Sequence, residues 1–533
     1  MRRFALLLIV CGNSVAQTPD TLTQIDRLFS KWNNATPGGA IGIKRGDKLI
    51  YSKAFGLADL EHKVPNTIET LFESGSLAKQ FTAMSVLLLA QDGKLSLSDD
   101  IRKYVPEIPK YSEPITIQQL LNHTSGLKDW GSIGELTGWP RTTRVYTQEL
   151  ALEIMGRQKS TNFPPGSEYS YSNANYSLLH TIVVRVSGQT LAEFTTARLF
   201  GPLGMNNTRW RDNFREVVTD RAIAYTKAED VFLQLMPFEN IYGHGGLLTT
   251  VADLLKWNAL LENHAVGGID IYQQRVKKGK LKNGTEITYA AGLVAGEFNG
   301  LSEISHSGAT AGYRAWMAYY PQEKLSIVLL SNDATFGAPS VGREAVAILL
   351  GTPAADSVKQ PAGITLTVEE YKRFEGIYRS ARHFEVLQLK FKDGRIVHNG
   401  HQLSALHRDT LFYKNLKWIK KGPATILMNN GGDTLTFNKV ASPIMDAGSI
   451  LSFAGNYFSN EADAAYAIKI EGNEVWVHIK SFPPNRLSPA FKDAFLLNDN
   501  ILYEFRRNRK GKVIALDVST SRAEQIRFSK LPE

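Results

Sequence analysis

The chain has 533 residues, 43% hydrophobic and 21% charged, with a formal net charge of +9. That length exceeds one ordinary domain, so two or three are expected, and the composition excludes wholesale disorder. No apolar run reaches the ~18 residues of a membrane span. No nucleic-acid-binding motif accompanies the basic balance.

The N-terminus opens with Arg2 and Arg3, an apolar stretch Phe4–Val10, and then Ser14-Val15-Ala16 before Gln17. This is the charged, apolar and small-residue order of a secretory signal, so residues 1–16 are expected to be removed after Ala16. Export to the periplasm or beyond follows from that reading. The single cysteine, Cys11, falls inside this segment, and the bulky Val10 argues against Cys11 as a lipidated N-terminus. The mature chain then has no disulfide, no thiol nucleophile and no thiolate metal site.

Residues 40–56 alternate as a hairpin, with a turn at Arg45-Gly46-Asp47. Next comes Ser76-Leu77-Ala78-Lys79, opening a helix over Leu77–Gln91 whose Leu77, Phe81, Met84, Leu87 and Leu88 fall at helical spacing. Ser76 and Lys79 share a face three residues apart. An amine held dry beside a helix N-terminus loses basicity and can accept the serine proton.

A second Ser-x-x-Lys, Ser125–Lys128, lies in a loop past a helix capped by Thr116 and Gln119, without such fixed geometry. Ser76 is therefore the expected nucleophile.

After Pro164-Pro165-Gly166, the polar and aromatic run Tyr169–Tyr176 leads into a helix over Ser177–Val186. Within it, Tyr171 supplies a proton shuttle and Asn173 an amide to hold substrate, both of which serine acylation requires. His306-Ser307-Gly308, followed by Ala309, lies on a strand edge before Tyr313–Tyr320. A glycine there lets substrate approach the strand, and the next N–H can point into an oxyanion hole. Pro321-Gln322-Glu323-Lys324 turns the chain into a last strand at Leu325–Leu330.

Residues 353–366 are rich in Pro, Ala, Gly and Ser and read as a linker. Beyond it the chain repeats itself. Phe374-Glu375-Gly376-Ile377-Tyr378-Arg379-Ser380 matches Phe453-Ala454-Gly455-Asn456-Tyr457-Phe458-Ser459. Later, Leu403 to Asp409 matches Leu487 to Asp493. Residues 361–440 hold 13 Lys/Arg against 7 Asp/Glu. That surplus reads first as a solvated face and second as a surface for an anionic cell-envelope polymer. His398 and His401 share a turn without a third ligand, so no metal is expected there.

The fold class expected is α+β. Residues 20–352 form one antiparallel sheet flanked by helices with a helical subdomain. Two small all-β barrel-like modules follow, at 367–440 and 441–533. Because the three constellations are complete by residue 310, these modules are expected only to support catalysis.

Taken together, Ser76-Leu77-Ala78-Lys79, Tyr171-Ser172-Asn173 and His306-Ser307-Gly308 resemble, in order, the three motifs of the serine β-lactamase-like family. That family includes class C β-lactamases, low-molecular-weight penicillin-binding proteins, D-aminopeptidases and esterases. Further matches lie at Leu120–Leu127, Pro202–Met205 and Gly245-Gly246-Leu247 with Thr249 and Asp253. The resemblance covers about residues 25–350, and the trailing modules resemble its lipocalin-like additions.

It implies that Ser76 attacks, that Lys79 and Tyr171 move protons, and that the amides of Ser76 and Ala309 hold the oxyanion. Asn173, His306, Ser307 and Gly308 would bind substrate, with no cofactor or metal. His306 stands where class C β-lactamases carry lysine, a departure that resembles D-aminopeptidases and DD-peptidases. The expected partner is a small-molecule or peptide substrate: a D-amino-acid peptide or small ester first, a β-lactam second. A penicillin-binding scaffold without turnover is the third reading.

Overall fold

The computed structural model describes residues 19–139, 144–352, 363–413, 416–430, 433–441, 447–480 and 482–532. The expected signal segment with Cys11, and linker residues 353–362, lie outside them. None of the described helices is long and apolar enough to cross a membrane.

The catalytic region is built on one antiparallel sheet. Its strands are β1 (Gly39–Arg45), β2 (Lys48–Phe55), β3 (Val294–Phe298), β4 (Leu301–Thr310), β5 (Tyr313–Tyr320) and β6 (Leu325–Ser331). Their order in space is β3-β4-β5-β6-β1-β2, so the N-terminal hairpin closes against the last strand, from Gly39 opposite Ser331 to Arg45 opposite Leu325. Strand alternation splits the side chains between two faces. Ile41, Ile43, Ile327 and Leu329 join a core with Phe29, Trp32 and Phe336. Ala40, Val328 and Leu330 join the opposite core with Leu77, Phe81 and Val251.

Five helices bear on the site: α1 (Pro19–Leu28), α2 (Lys79–Gln91), α3 (Asn173–Ser187), α4 (Val251–Asn258) and α5 (Ala338–Leu350). Helix α2 is buried around its whole circumference from Lys79 to Leu89, beyond the single stripe expected from its periodicity. A tight 3₁₀ turn, Gly75–Ala78, precedes it and carries Ser76. Helix α3 starts four residues earlier than expected. Its N-cap, Ser172, makes no side-chain capping bond. Instead Asp129, distant in sequence, accepts the Asn173 N–H through Oδ2 at 2.6 Å. A cap supplied from elsewhere in the fold leaves no local signal.

The fold is thus a β-lactamase/transpeptidase-like α+β domain followed by two all-β modules. The first is a nearly closed antiparallel sheet of nine strands, running from Gly376–Ser380 to Asp433–Lys439. The second is a closed eight-stranded barrel, from Gly455–Ser459 to Ile526–Lys530.

The internal repeat has a physical basis. Tyr378 Oη donates to Phe374 O at 3.0 Å, and Tyr457 Oη donates to Phe453 O at 2.7 Å. Tyr378 pairs with Lys439 across the sheet as Tyr457 pairs with Lys530. Each ammonium lies over its tyrosine ring, at 5.8 and 5.7 Å. Each lysine stem passes where a Cβ on Gly376 or Gly455 would stand, 2.6 Å from Cε in both copies. Glycine is favoured at both places by φ values (148° and 141°) that side chains disfavour, and the lysine stem fills the space beside it.

The barrel is docked on the catalytic domain, and one apolar cluster runs through both, from Leu136 to Tyr466. Tyr466 Oη donates to Leu136 O at 2.8 Å. Glu461 accepts the Lys159 N–H at 3.1 Å and lies 3.5 Å from the buried Lys128 ammonium. Some cations of 361–440 pair within the module, as in Arg373–Asp409 and Arg408–Glu370, and others reach acids outside it, as in Arg379–Glu504, Arg382–Glu168 and Lys390–Asp499. Tyr466→Phe leaves the Leu136 carbonyl unpaired in that buried seam. It is expected to lower stability by about 1 kcal/mol, read as a lower Tm in thermal unfolding with unchanged secondary structure.

Candidate active site

Ser76 faces a cavity of about 620 Å³ that is also lined by Tyr171, Asn173, His306, Ser307, Gly308 and Ala309. The three constellations therefore meet in one place. Two glycines make this possible. A Cβ on Gly308 would lie 2.0 Å from Ser74 O and 3.1 Å from Ser76 N, and one on Gly75 would lie 2.7 Å from Ala309 N. The serine turn and strand β4 thus touch backbone to backbone, bringing the Ser76 and Ala309 amides to the same wall. Strand β3 pairs with β4 only from Leu301 to Ser305. His306 to Thr310 therefore keep one edge free of β3, beside Ser76.

Lys79 is fully buried. Its Nζ lies 3.0 Å from Ser76 Oγ, 2.9 Å from Asn173 Oδ1 and 2.7 Å from His244 O. Burial holds its pKa well below the usual lysine range; Asp129 offsets part of that shift and Arg522 adds to it. The two carbonyl oxygens can only accept, so each takes an N–H of Lys79. Ser76 Oγ stands at the third position, where a neutral amine would turn its lone pair toward the hydroxyl.

Tyr171 reaches the cavity from the loop before α3. Burial raises its pKa, so the phenol keeps its proton, although Ser76 lies near enough to pull the other way. Its Oη has no partner of proper hydrogen-bond geometry.

His306 is buried, and desolvation lowers its pKa to about 4, with Lys79 contributing. Both ring nitrogens are occupied. Nδ1 lies 2.6 Å from Ser307 O, which can only accept, so Nδ1 carries the proton. Nε2 therefore accepts from Tyr289 Oη at 3.0 Å.

The rival Ser-x-x-Lys is placed elsewhere. Ser125 is buried, with Oγ donating to Asn175 Oδ1 at 2.5 Å, and Lys128 turns to the barrel and Glu461. The intervening His123 packs 4.2 Å from the Tyr171 ring, and its pKa also lies well below the ordinary value because it is buried. His398 and His401 face each other across a hairpin. Among the described residues no metal-binding cluster of His, Cys, Asp or Glu occurs.

Four contributors escaped sequence reasoning: Asp129, the His244 carbonyl, Tyr289 and Arg522. His244 precedes Gly245-Gly246, so a signal existed one residue away. Arg522 belongs to the C-terminal barrel yet lines the cavity, its guanidinium 5.2 Å from the Tyr171 ring centroid. The expectation of a supporting role for the modules did not place any of their residues in the cavity wall, where Arg522 stands.

A nucleophile, a dry amine, an unpaired phenol and two facing amides define an acyl-transfer serine enzyme. The Beta-lactamase family profile matches residues 25–351. The chain belongs to the Beta-lactamase family and is a serine hydrolase of the penicillin-binding-protein type.

Among curated relatives, a D-aminopeptidase from Cereibacter sphaeroides (strain ATCC 17029 / ATH 2.4.9) is 26% identical over 470 residues, 86% of this chain and 88% of its own. Penicillin-binding protein 4* from Bacillus subtilis (strain 168) is 29% identical over 361 residues, 64% of this chain and 79% of its own. Among solved structures, the octameric penicillin-binding protein homologue from Pyrococcus abyssi shares the fold at a TM-score of 0.57 and 23% identity. That match covers 87% of this chain and 99% of the other.

Both His306 and His123 are held neutral, so between about pH 4 and 6.5 the unfolded chain binds more protons than the folded one. Stability therefore rises with pH across that window and falls as pH drops through it. Denaturant midpoints at pH 5 and pH 7 should show this slope, and His306→Gln should flatten it.

Proposed function

We propose that the chain hydrolyses D-amino-acid peptides, amides or small esters through a Ser76 acyl-enzyme. The observation that carries this is the Lys79 amine: a fully buried nitrogen with two fixed carbonyl acceptors and Ser76 Oγ as its third neighbour. Lys79 takes the Ser76 proton as Oγ bonds to the scissile carbonyl carbon. The resulting oxyanion sits between the amides of Ser76 and Ala309. Tyr171 gives its proton to the leaving nitrogen or oxygen and recovers one from Lys79. The carbon–heteroatom bond breaks, leaving the Ser76 ester. Water then attacks that ester by the same relay and frees the acid. Asn173 and the free edge at Ser307–Gly308 hold the substrate, and His306 shapes the wall beside them.

The D-amino-acid assignment draws support from relatives of matching architecture that are named D-aminopeptidases. His306 favours it over β-lactam turnover. At position 306 a neutral imidazole with both nitrogens occupied cannot itself pair with the carboxylate beside a β-lactam ring, as a lysine there could, so such a carboxylate must find its partner elsewhere on the cavity wall. The same reading includes export with cleavage after Ala16. It divides the chain at 20–352, 353–366, 367–440 and 441–533, with lipocalin-like character for the two modules. An anionic envelope polymer remains a second-rank partner for the basic module.

Purified protein offered a D-alanyl p-nitrophenyl ester and nitrocefin should turn over the ester with the higher kcat/KM. Ser76→Ala should abolish turnover, Ser125→Ala should not, and a fluorophosphonate adduct should map to the Ser76 peptide. Faster nitrocefin turnover, or an adduct on Ser125, contradicts the assignment.

A further inference from the structure

The C-terminal barrel places one uncommitted cation in the catalytic cavity. Loop 520–524 is clamped by its backbone to the catalytic domain. Arg522 O accepts from Asp129 N at 2.9 Å and from Asn162 Nδ2 at 3.0 Å, while Glu524 N donates to Asn162 Oδ1 at 2.9 Å. From the first β module His383 reaches over, its Nδ1 3.4 Å from Glu524 and its Nε2 2.9 Å from Glu168. All three parts of the chain thus hold the loop in place.

The Arg522 side chain, by contrast, has no hydrogen bond or ion pair to its guanidinium among the described residues, and rests only on the Tyr171 ring at 5.2 Å. The other guanidinium of the cavity, Arg314, is turned onto the carbonyls of Ala311 and Tyr313 at 2.9 and 2.7 Å. His306 brings no charge. A fixed backbone carrying a free planar cation is the arrangement expected of an anion receptor.

From these observations we propose that Arg522 is a specificity residue that receives a carboxylate on the leaving-group side of the substrate. The side follows from its neighbour. Tyr171 is the proton donor to the leaving nitrogen, and Arg522 lies against the same ring. In a peptide whose leaving group is a C-terminal amino acid, the carboxylate is two bonds beyond that nitrogen. The substrate class singled out is therefore a D-amino-acyl peptide with a free C-terminus, in preference to the corresponding amide or neutral ester. Arginine presents two parallel N–H groups to such a carboxylate. The side chain is solvent-exposed, so the selectivity is about fivefold or less and is screened by salt. This inference rests on the D-peptide reading above.

The test compares kcat/KM for a D-alanyl-D-alanine dipeptide and for the same dipeptide carrying a C-terminal amide, using the full chain. The unmodified protein should favour the acid by about threefold to fivefold, chiefly in KM, and 0.5 M salt should narrow the ratio. Arg522→Gln should bring the ratio near one, and Arg522→Lys should keep part of it. A ratio near one in the unmodified protein, or one that survives Arg522→Gln, overturns the carboxylate assignment. Fluorophosphonate labelling of Ser76 in each variant shows that the fold and nucleophile persist. Failure to cleave either dipeptide while Ser76 still labels overturns the D-peptide reading itself.

Discussion

Lys79 sits where water does not reach, and most of the catalytic cavity is arranged around the cost of that burial. An ammonium in such a place is disfavoured unless every N–H finds an acceptor. The chain offers only two carbonyl acceptors, one from Asn173 and one from the His244 backbone, with the Ser76 hydroxyl as the third neighbour. The third group can accept as well as donate, so the three neighbours suit either form, and it is burial that tilts the balance toward a neutral amine facing the hydroxyl. Helix α2, buried on all sides, is what keeps the amine dry. Asp129 fixes the other end by capping α3, which holds Asn173 against the amine.

The same constraint explains the company that the amine keeps. A positive charge near Lys79 further disfavours its protonation, and Arg522 acts in that sense. His306 and His123, both near it, are held neutral chiefly by their own burial, with Lys79 contributing. Glu239, Arg314 and Arg522 also line the cavity. Arg522 arrives from the barrel, more than 400 residues along the chain from Ser76. Two modules without any catalytic set of their own thus have a place at the site through loop 520–524, held from one side by Asn162 and Asp129 and from the other by His383.

How much of this was legible in the sequence depended on whether the determinant was local. Ser76 with Lys79, Tyr171 with Asn173, and His306 to Ala309 are short patterns whose spacing is imposed by one turn or one strand edge, and they could be read directly. The hairpin at 40–56 and the two β modules were legible for the same reason. Asp129 and Arg522 were not, because each acts on a residue remote in sequence. The His244 contribution is a backbone carbonyl, which no residue type announces. The start of α3 was misplaced because its cap comes from Asp129. In the repeats, the lysines opposite Tyr378 and Tyr457 did leave a trace, in Phe437-Asn438-Lys439 and Phe528-Ser529-Lys530.

The most direct test of the account is the pH dependence of Ser76 acylation. Single-turnover acylation by an uncharged p-nitrophenyl ester, followed by stopped flow from pH 6 to 10, reports the ionisation of the base in the free enzyme. A buried Lys79 whose pKa is held well below the usual lysine range predicts a rate that reaches its plateau well before that range, with no further rise at higher pH. A rate that climbs tenfold per pH unit up to an ordinary lysine pKa near ~10.4 would contradict it, and would mean that Lys79 is an ammonium at rest.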